Sequence, residues 1–369
     1  MRRTGIVFGL LMMFAFLPVV KAQQLIPYFV SPNLHYGFII PHRSSMQHLI
    51  TGHFTGYEIC IGKSSSGASA WQAPYHYPDY GLSFLYTNLG NDEVLGKAIG
   101  LHPYVNFSLH QGKSSQLIFR FGTGLGWITK PFDVVNNYKN TAIGSHLNAL
   151  ISFRFEERFD ITEKIKFSTA LTYTHMSNGA FKVPNLGINI PSVSTGITYK
   201  FGNKKERITN KKPLSDSTKL RFSFLVSGGV KEAYPEDGPK FPVLSSSLEI
   251  SFPSGQKHFF GGGLDFFYDA SIHEKYKQKM LDPGADILLT RVGVKGSYEL
   301  VFSKLSFLFQ VGIYALSQDK TDGLIYDRLA LRYKLNKNLL INLSLKTHLA
   351  KADFIELGLG YSLHKSKKK

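Results

Sequence analysis

The sequence contains a single cysteine, Cys60, among its 369 residues, so an internal disulfide is excluded. The paired cysteines of a structural zinc site are also absent from the sequence. Acidic residues are few, with 26 Asp and Glu against 43 Lys and Arg, which gives a formal net charge of +17. After residue 22 no apolar run is long enough to form a membrane-spanning helix. These shortages exclude a disulfide-bonded scaffold and a helical membrane protein.

The N-terminal segment has the features of a secretory signal. It begins with two arginines, continues with an apolar run from Gly5 to Val20, and ends in a small-residue pattern at Ala22. That run is too short and wrongly flanked for a spanning helix. We therefore interpret residues 1–22 as a signal peptide of an exported protein. Its removal takes away three basic residues and no acid, which lowers the formal charge from +17 to +14.

The excess of basic residues indicates an anionic partner. Nucleic acid is a poor candidate, because the chain is exported and has neither zinc-type cysteine spacing nor a basic recognition helix. An anionic lipid surface fits better. No cluster of metal-ligating residues with suitable spacing is evident, so we expect neither a metal nor an organic cofactor.

Residues after the signal alternate between apolar and polar side chains with a period of two. From Ile165 to Ser177, in "IKFSTALTYTHMS", the odd positions are mainly apolar and the even positions are polar or small. The segments "QLIFRFGTGLGWI" and "SVSTGITYKF" repeat this alternation. Strands of roughly ten or more residues match the tilted strands that cross an outer membrane. Apolar side chains would then face lipid and polar ones the barrel lumen.

The alternating segments fall into two groups of eight. An open strand edge in lipid would leave backbone N–H and C=O groups unpaired, so the eight strands should close into a barrel. The sequence therefore predicts an all-β, antiparallel, eight-stranded outer-membrane barrel in residues 23–202. A polar, basic linker at 203–218 precedes a second, related half at 219–369. The linker favours two barrels over one wide barrel. The expected strands lie near 34–41, 53–62, 80–87, 96–107, 116–128, 142–156, 163–177 and 191–202, and near 219–229, 243–252, 257–268, 288–300, 303–315, 324–335, 337–349 and 353–363.

One strand ends in a pair of residues that could carry chemistry. His175 and Ser177 have odd parity and belong to the outward face of their strand. Their backbones would lie about 7 Å apart, close enough for Oγ of the serine to meet a ring nitrogen of the histidine. They are therefore either a nucleophile and its base on the outer wall, or solvated loop residues beyond an interfacial Tyr173.

The segment "THMSNGAFKVPNLGIN", with the following strand ending in "GITYKF", resembles the signature of the PagL-type lipid A 3-O-deacylases. These are eight-stranded outer-membrane barrels with an exterior serine-hydrolase site. The resemblance continues less sharply through "YHYPDYG", "TGLGWITKPFD" and "NTAIGSHLN", and covers about residues 30–202. It implies that Ser177 is the nucleophile, that His175 is its general base, and that Asn178 and Asn185 donate to the oxyanion. It also implies lipid A of lipopolysaccharide in the outer leaflet as the substrate.

The sequence departs from the family pattern at Asn189, where the family has an acid. A carboxylate stabilises the imidazolium, whereas an amide can only orient the ring by accepting its N–H. Three readings stay open: Asn189 orients His175, a loop acid such as Asp133 substitutes, or the site is weak.

The second half has no equivalent of the serine pair, because Ala350 stands two places after His348. We therefore expect it to have a structural or substrate-positioning role. The sequence predicts an outer-membrane lipid A deacylase with a Ser/His mechanism. The alternative is a non-enzymatic barrel acting as a pore, adhesin or structural anchor. Hydrolysis of a phospholipid or of a secondary acyloxyacyl ester is a third reading.

Overall fold

The computed structural model describes residues 24–208, 219–233, 235–278, 280, 289–349 and 351–366. The expected signal peptide and most of the expected linker lie outside these residues. Within the described ranges, no helix combines the length and the apolar character needed to cross a membrane.

The first barrel consists of eight antiparallel strands. Each strand pairs with the next, and β9 pairs back onto β2 to close the barrel. A two-residue pair, β1 (Gln24–Leu25) and β10 (Lys205–Glu206), lies outside it. The barrel strands are β2 (Tyr28–Gly37), β3 (Phe54–Lys63), β4 (Asp79–Asn88), β5 (Lys97–Gln111), β6 (Ser115–Ile128), β7 (Leu147–Asp160), β8 (Ile165–Ser177) and β9 (Ile188–Phe201).

The second barrel is also closed and antiparallel, with β18 pairing back onto β11. Its strands are β11 (Lys219–Glu232), β12 (Lys240–Ser254), β13 (His258–Asp269), β14 (Thr290–Phe302), β15 (Leu305–Leu316), β16 (Ile325–Lys334), β17 (Leu339–His348) and β18 (Lys351–Ser366). Among the described residues, the regular helices are one short α-helix, α1 (Ile272–Gln278), and a 3-10 helix (Ser44–Leu49). The predicted pair of eight-stranded antiparallel barrels is therefore confirmed, and a single wide barrel is excluded.

Side-chain direction follows the predicted alternation. In β8, Leu171 and Tyr173 are exposed on the outer wall, whereas Thr172 and Thr174 are buried toward the lumen. A narrow barrel of eight strands is filled by its own side chains. In the first lumen these include the ion-paired residues Glu58, Arg120, Arg154, Glu156 and Arg158.

The second lumen is filled in the same way. Glu249 pairs with Lys295 at 2.6 Å and with Arg332 at 2.6 Å, and all three side chains are buried. Unpaired charges in such a place would be costly, so complementary pairing across the lumen is what permits their burial.

The strand bounds differ most from the expected ones in β2 and β7. The first strand runs from Tyr28 to Gly37, several residues earlier than expected. The strand expected from residue 142 begins only at Leu147. Ala142 and Ile143 belong instead to an apolar cluster that covers one end of the barrel, and their N–H groups donate to Asn140 Oδ1.

That apolar cluster lies beneath the connections that join β2 to β3, β4 to β5, β6 to β7 and β8 to β9. Met176 of β8 is part of it and is completely buried. Because alternate residues of a strand point to opposite faces, burial of Met176 turns its two neighbours, His175 and Ser177, toward the outer wall.

The two barrels contact each other at both ends. At one end, Tyr75 donates a hydrogen bond to the Val301 carbonyl at 3.1 Å and stacks on Phe302 with ring centroids 4.4 Å apart. At the other end, the N–H of Glu232 donates to the Ala180 carbonyl at 3.0 Å. The second barrel therefore contacts the connection that directly follows β8.

Candidate active site

His175 and Ser177 share the outer face at the end of β8, and neighbouring strands position them. In the strand register, Ala149 of β7 lies opposite Ser177, and Asn189 of β9 lies opposite His175. Ser177 is buried, while His175 and Asn189 are half-buried. Sheet register thus brings together three residues from two strands.

The three side chains form a continuous hydrogen-bonded row. His175 Nε2 lies 3.0 Å from Ser177 Oγ, and His175 Nδ1 lies 2.6 Å from Asn189 Oδ1. An amide oxygen only accepts, so Nδ1 carries the ring proton and Nε2 is left as the acceptor for the serine hydroxyl. This tautomer is the one in which a histidine can act as a general base toward serine.

Gly187 packs closely against the imidazole. Its φ of 81° lies in the left-handed region, and a Cβ at this position would be 2.7 Å from His175 Cε1. A glycine is therefore required for the backbone to pass here in this conformation. The ring of His175 is held between Gly187 on one side and the hydrogen bonds to Ser177 and Asn189 on the other.

Asn178 holds the β8–β9 connection together. Its Nδ2 donates to Ser145 Oγ at 2.9 Å and to the Lys182 carbonyl at 2.8 Å. Its backbone N–H donates to Asn185 Oδ1 at 2.9 Å. Both amide hydrogens of Asn178 are used within the protein. In the part of the chain that the structure describes, Asn185 Nδ2 makes no hydrogen bond, and Oδ1 of the same amide contacts the N–H of Asn178, the residue that follows Ser177.

The structure places Asn189, not Asp133, against the Nδ1 side of His175. Asp133 lies in the β6–β7 connection and accepts the N–H groups of Val135 and Asn136 at 3.0 and 2.7 Å. These backbone hydrogen bonds, that from Asn136 first, lower the pKa of the Asp133 carboxyl. Its carboxylate therefore caps its own turn.

A second histidine, His42, extends the row beyond Asn189. Asn189 Nδ2 lies 2.9 Å from His42 Nδ1, and the Asn189 carbonyl accepts the N–H of Ile40 at 3.0 Å. His42 lies in the connection after β2, and nothing in the alternation pattern of the sequence pointed to it. The usable signal was barrel closure: once β2 pairs with β9, the residues that follow β2 must run beside the start of β9.

A cluster in the second barrel has the residue types of a metal site. Ligand atoms of Asp322, His348 and Asp353 lie within 4.8 Å of one another. However, Asp353 already pairs with Lys231 and Lys346 at 2.6 Å each, and Asp322 pairs with Lys275 at 2.7 Å. These ammonium groups neutralise the carboxylates and would repel a divalent cation, so the cluster is a buried network of ion pairs.

Family models match both barrels. Residues 57–198 match the model described as lipid A 3-O-deacylase (PagL), and residues 220–365 match the model described as acyloxyacyl hydrolase, C-terminal domain. With two closed barrels, these matches define an outer-membrane β-barrel of the acyl-ester hydrolase class. The chain belongs to the PagL lipid A 3-O-deacylase family, and it is located in the outer membrane.

Other comparisons add little. No curated protein sequence matches the chain significantly. Among solved structures, CdiB from Acinetobacter baumannii aligns over 93% of this chain and 61% of its own length, with 11% identity and a TM-score of 0.20. A NanC porin aligns over 91% of this chain and all of its own, with 6% identity and a TM-score of 0.17. A bacterial polysaccharide outer-membrane secretin aligns over 93% of this chain and all of its own, with 8% identity and a TM-score of 0.22. These TM-scores are too low to carry an argument.

Proposed function

We propose that this protein hydrolyses an ester-linked acyl chain of lipid A in the outer leaflet, with Ser177 as nucleophile and His175 as general base. The observation that carries the proposal is the row Ser177–His175–Asn189, with contacts of 3.0 and 2.6 Å, on the outer wall of the barrel. A polar row on a wall that otherwise faces lipid is a site for a lipid substrate that arrives sideways within the membrane.

The proposed reaction has two stages. His175 Nε2 takes the hydroxyl proton while Ser177 Oγ attacks the acyl carbonyl carbon. The tetrahedral intermediate collapses with cleavage of the bond to the sugar oxygen, and His175 returns the proton to that alkoxide. Water, activated by the same nitrogen, then attacks the acyl-enzyme and releases the fatty acid. Side chains and water suffice for every step, so the proposal includes neither a metal nor an organic cofactor.

Asn185 is the proposed oxyanion donor, and Asn178 is proposed to hold it in place. The hydrogen bond from the Asn178 N–H to Asn185 Oδ1 fixes the amide of Asn185 and leaves its Nδ2 hydrogens available. Donors aimed at the developing charge are worth about 10²–10³ in turnover in other acyl-transfer enzymes. Its available Nδ2 hydrogens make Asn185 better suited than Asn178 to donate to the oxyanion.

Asn189 is proposed to set the tautomer of His175. Its amide oxygen accepts the Nδ1 proton but carries no full negative charge, so it stabilises the imidazolium less than a carboxylate would. The proposed enzyme therefore has a correctly oriented base with a lower turnover than a family member that has an acid at this position.

The rival function is a non-enzymatic barrel. A pore is disfavoured by the paired charges that fill both lumens, whereas an adhesin or anchor makes no demand on the lumen. Labelling with a fluorophosphonate, which reacts with activated serines, discriminates between these functions. The proposal predicts labelling of the full chain that is lost in Ser177→Ala. Equal labelling of Ser177→Ala, or none in the wild type, would favour the rival.

The released product identifies the ester. A 3-hydroxyacyl acid points to a primary ester of lipid A, a non-hydroxylated acid from lipid A points to a secondary acyloxyacyl ester, and activity on phospholipid vesicles alone points to a phospholipase.

A further inference from the structure

We propose that His42 is a positioning residue that keeps the Asn189 amide in the orientation needed for catalysis. This inference rests on the proposed function of Ser177 and His175. It concerns a residue outside the three-residue row and explains how an amide can serve where a carboxylate would otherwise stand.

An amide at position 189 has two orientations with opposite consequences. With Oδ1 toward the ring, it accepts the Nδ1 proton and leaves His175 Nε2 free to accept from Ser177. With Nδ2 toward the ring, it donates to Nδ1, so the ring proton must sit on Nε2, and His175 can no longer take a proton from the serine. A carboxylate has two equivalent oxygens and no unproductive orientation. The need for an orienting group is therefore specific to an amide.

His42 supplies that orienting group. Its Nδ1 lies 2.9 Å from Asn189 Nδ2, and a neutral imidazole nitrogen that accepts this hydrogen bond favours the productive orientation. The donors then run in one direction, from Ser177 to His175, from His175 to Asn189, and from Asn189 to His42.

The backbone near His42 is tied to the same strand as Asn189. The N–H of Ile40 donates to the Asn189 carbonyl at 3.0 Å, and the N–H of Phe38 donates to the Pro191 carbonyl at 3.3 Å. The connection that follows β2 thus continues the pairing with β9 for several residues. His42 follows Ile40 by two residues, so it stays beside the amide that it orients.

One neutral hydrogen bond biases an equilibrium by about three- to tenfold. The productive fraction falls by at most that factor, so we expect His42→Ala to lower the maximal rate of Ser177 labelling, kinact, by up to about that factor while the inhibitor constant KI stays the same. The measurement uses the full chain in detergent micelles and a fluorophosphonate probe, with folding verified by the gel mobility of the unheated barrel. His48→Ala is the matched control. His48 lies in the same connection and bonds the Lys139 carbonyl, away from the row.

The Asn189→Asp background distinguishes an orienting role of His42 from a general structural role of that residue. A carboxylate accepts the Nδ1 proton whichever oxygen faces the ring, so His42→Ala in the Asn189→Asp background should change kinact less than twofold. An equal loss in both backgrounds, no loss in the wild-type background, or a change in KI with constant kinact would each overturn the role of His42.

The proposed function fails by a different result. If the wild type does not label, or if Ser177→Ala labels as well as the wild type, Ser177 is not the nucleophile, and the role of His42 falls with it. If Ser177→Ala is silent while His42→Ala equals the wild type, the function stands and only the role of His42 is wrong.

Discussion

Gly179 of the first barrel lies directly against the side chain of Ile355 in β18 of the second barrel, so that a Cβ added to Gly179 would overlap Cγ1 of Ile355. Gly179 follows the proposed nucleophile by two residues. Beside it, Lys182 pairs with Asp237 at 2.7 Å. The second barrel therefore supports the connection that carries Asn178 and Asn185.

A larger side chain at position 355 should disturb the site without disturbing the second barrel. Ile355 points outward from β18, so Ile355→Trp would push on Gly179 rather than on a lumen side chain. We expect fluorophosphonate labelling of Ser177 to slow by about tenfold or more, since the β8–β9 connection has to move.

Leu357→Trp is the control for this prediction. Leu357 is the next outward residue of the same strand and is 61% exposed, so a tryptophan meets no resistance there. Unchanged labelling in Leu357→Trp with slow labelling in Ile355→Trp fits a supporting role of the second barrel. Equal rates in both variants would contradict it.

Restoring a carboxylate beside His175 should raise activity. Asn189→Asp keeps the side-chain length, so the 2.6 Å contact with Nδ1 is preserved while a negative charge now stabilises the imidazolium. Because the tautomer is already correct in the wild type, we expect a gain in kcat on the order of tenfold. Hydrolysis of a chromogenic acyl ester measures it. A decrease in kcat would mean that Asn189 does not act through the imidazolium.

Because Gly187 packs against His175, we expect Gly187→Ala to slow Ser177 labelling by more than its effect on the unfolding free energy explains. In Gly187→Ala the new Cβ would lie 2.7 Å from His175 Cε1 and the residue would be strained at a φ of 81°. We expect a decrease of about tenfold or more in the labelling rate, because the ring must shift relative to Ser177.

Gly255→Ala is the matched control, since Gly255 has a similar φ of 71° but nothing within 4 Å of an added Cβ. The strain of an alanine at positive φ, about 1 kcal/mol, applies to both variants. Similar losses in unfolding free energy with a loss of labelling in Gly187→Ala alone would support the packing argument. Equal loss of labelling in both would refute it.

The outward placement of His175 and Ser177 was predictable from the sequence, because the alternation in β8 is regular and its buried neighbours are small or apolar. Strand number and closure followed from the same periodicity. The expected start of β7 at residue 142 was wrong, because Ala142 and Ile143 are apolar enough to resemble a strand although they pack over the end of the barrel.

Two features of the site depend on distances that periodicity does not contain. His42 reaches Asn189 only because closure sets β2 against β9 in one register, and the alternation of either strand is compatible with several registers. The contact between Gly179 and Ile355 depends on how the β8–β9 connection packs against the outer wall of the second barrel. The outer walls of both barrels are apolar over most of their length, so the sequence does not indicate which parts of the two barrels contact each other.

Mass spectrometry of lipid A shows whether Ser177 removes an acyl chain in cells. Cells that make the wild-type protein are compared with cells that make Ser177→Ala, with both proteins shown to be folded in the outer membrane. If Ser177 is the nucleophile, one acyl mass is lost from lipid A only with the wild type, and that mass identifies the chain removed. Identical lipid A in the two strains would contradict this role of Ser177.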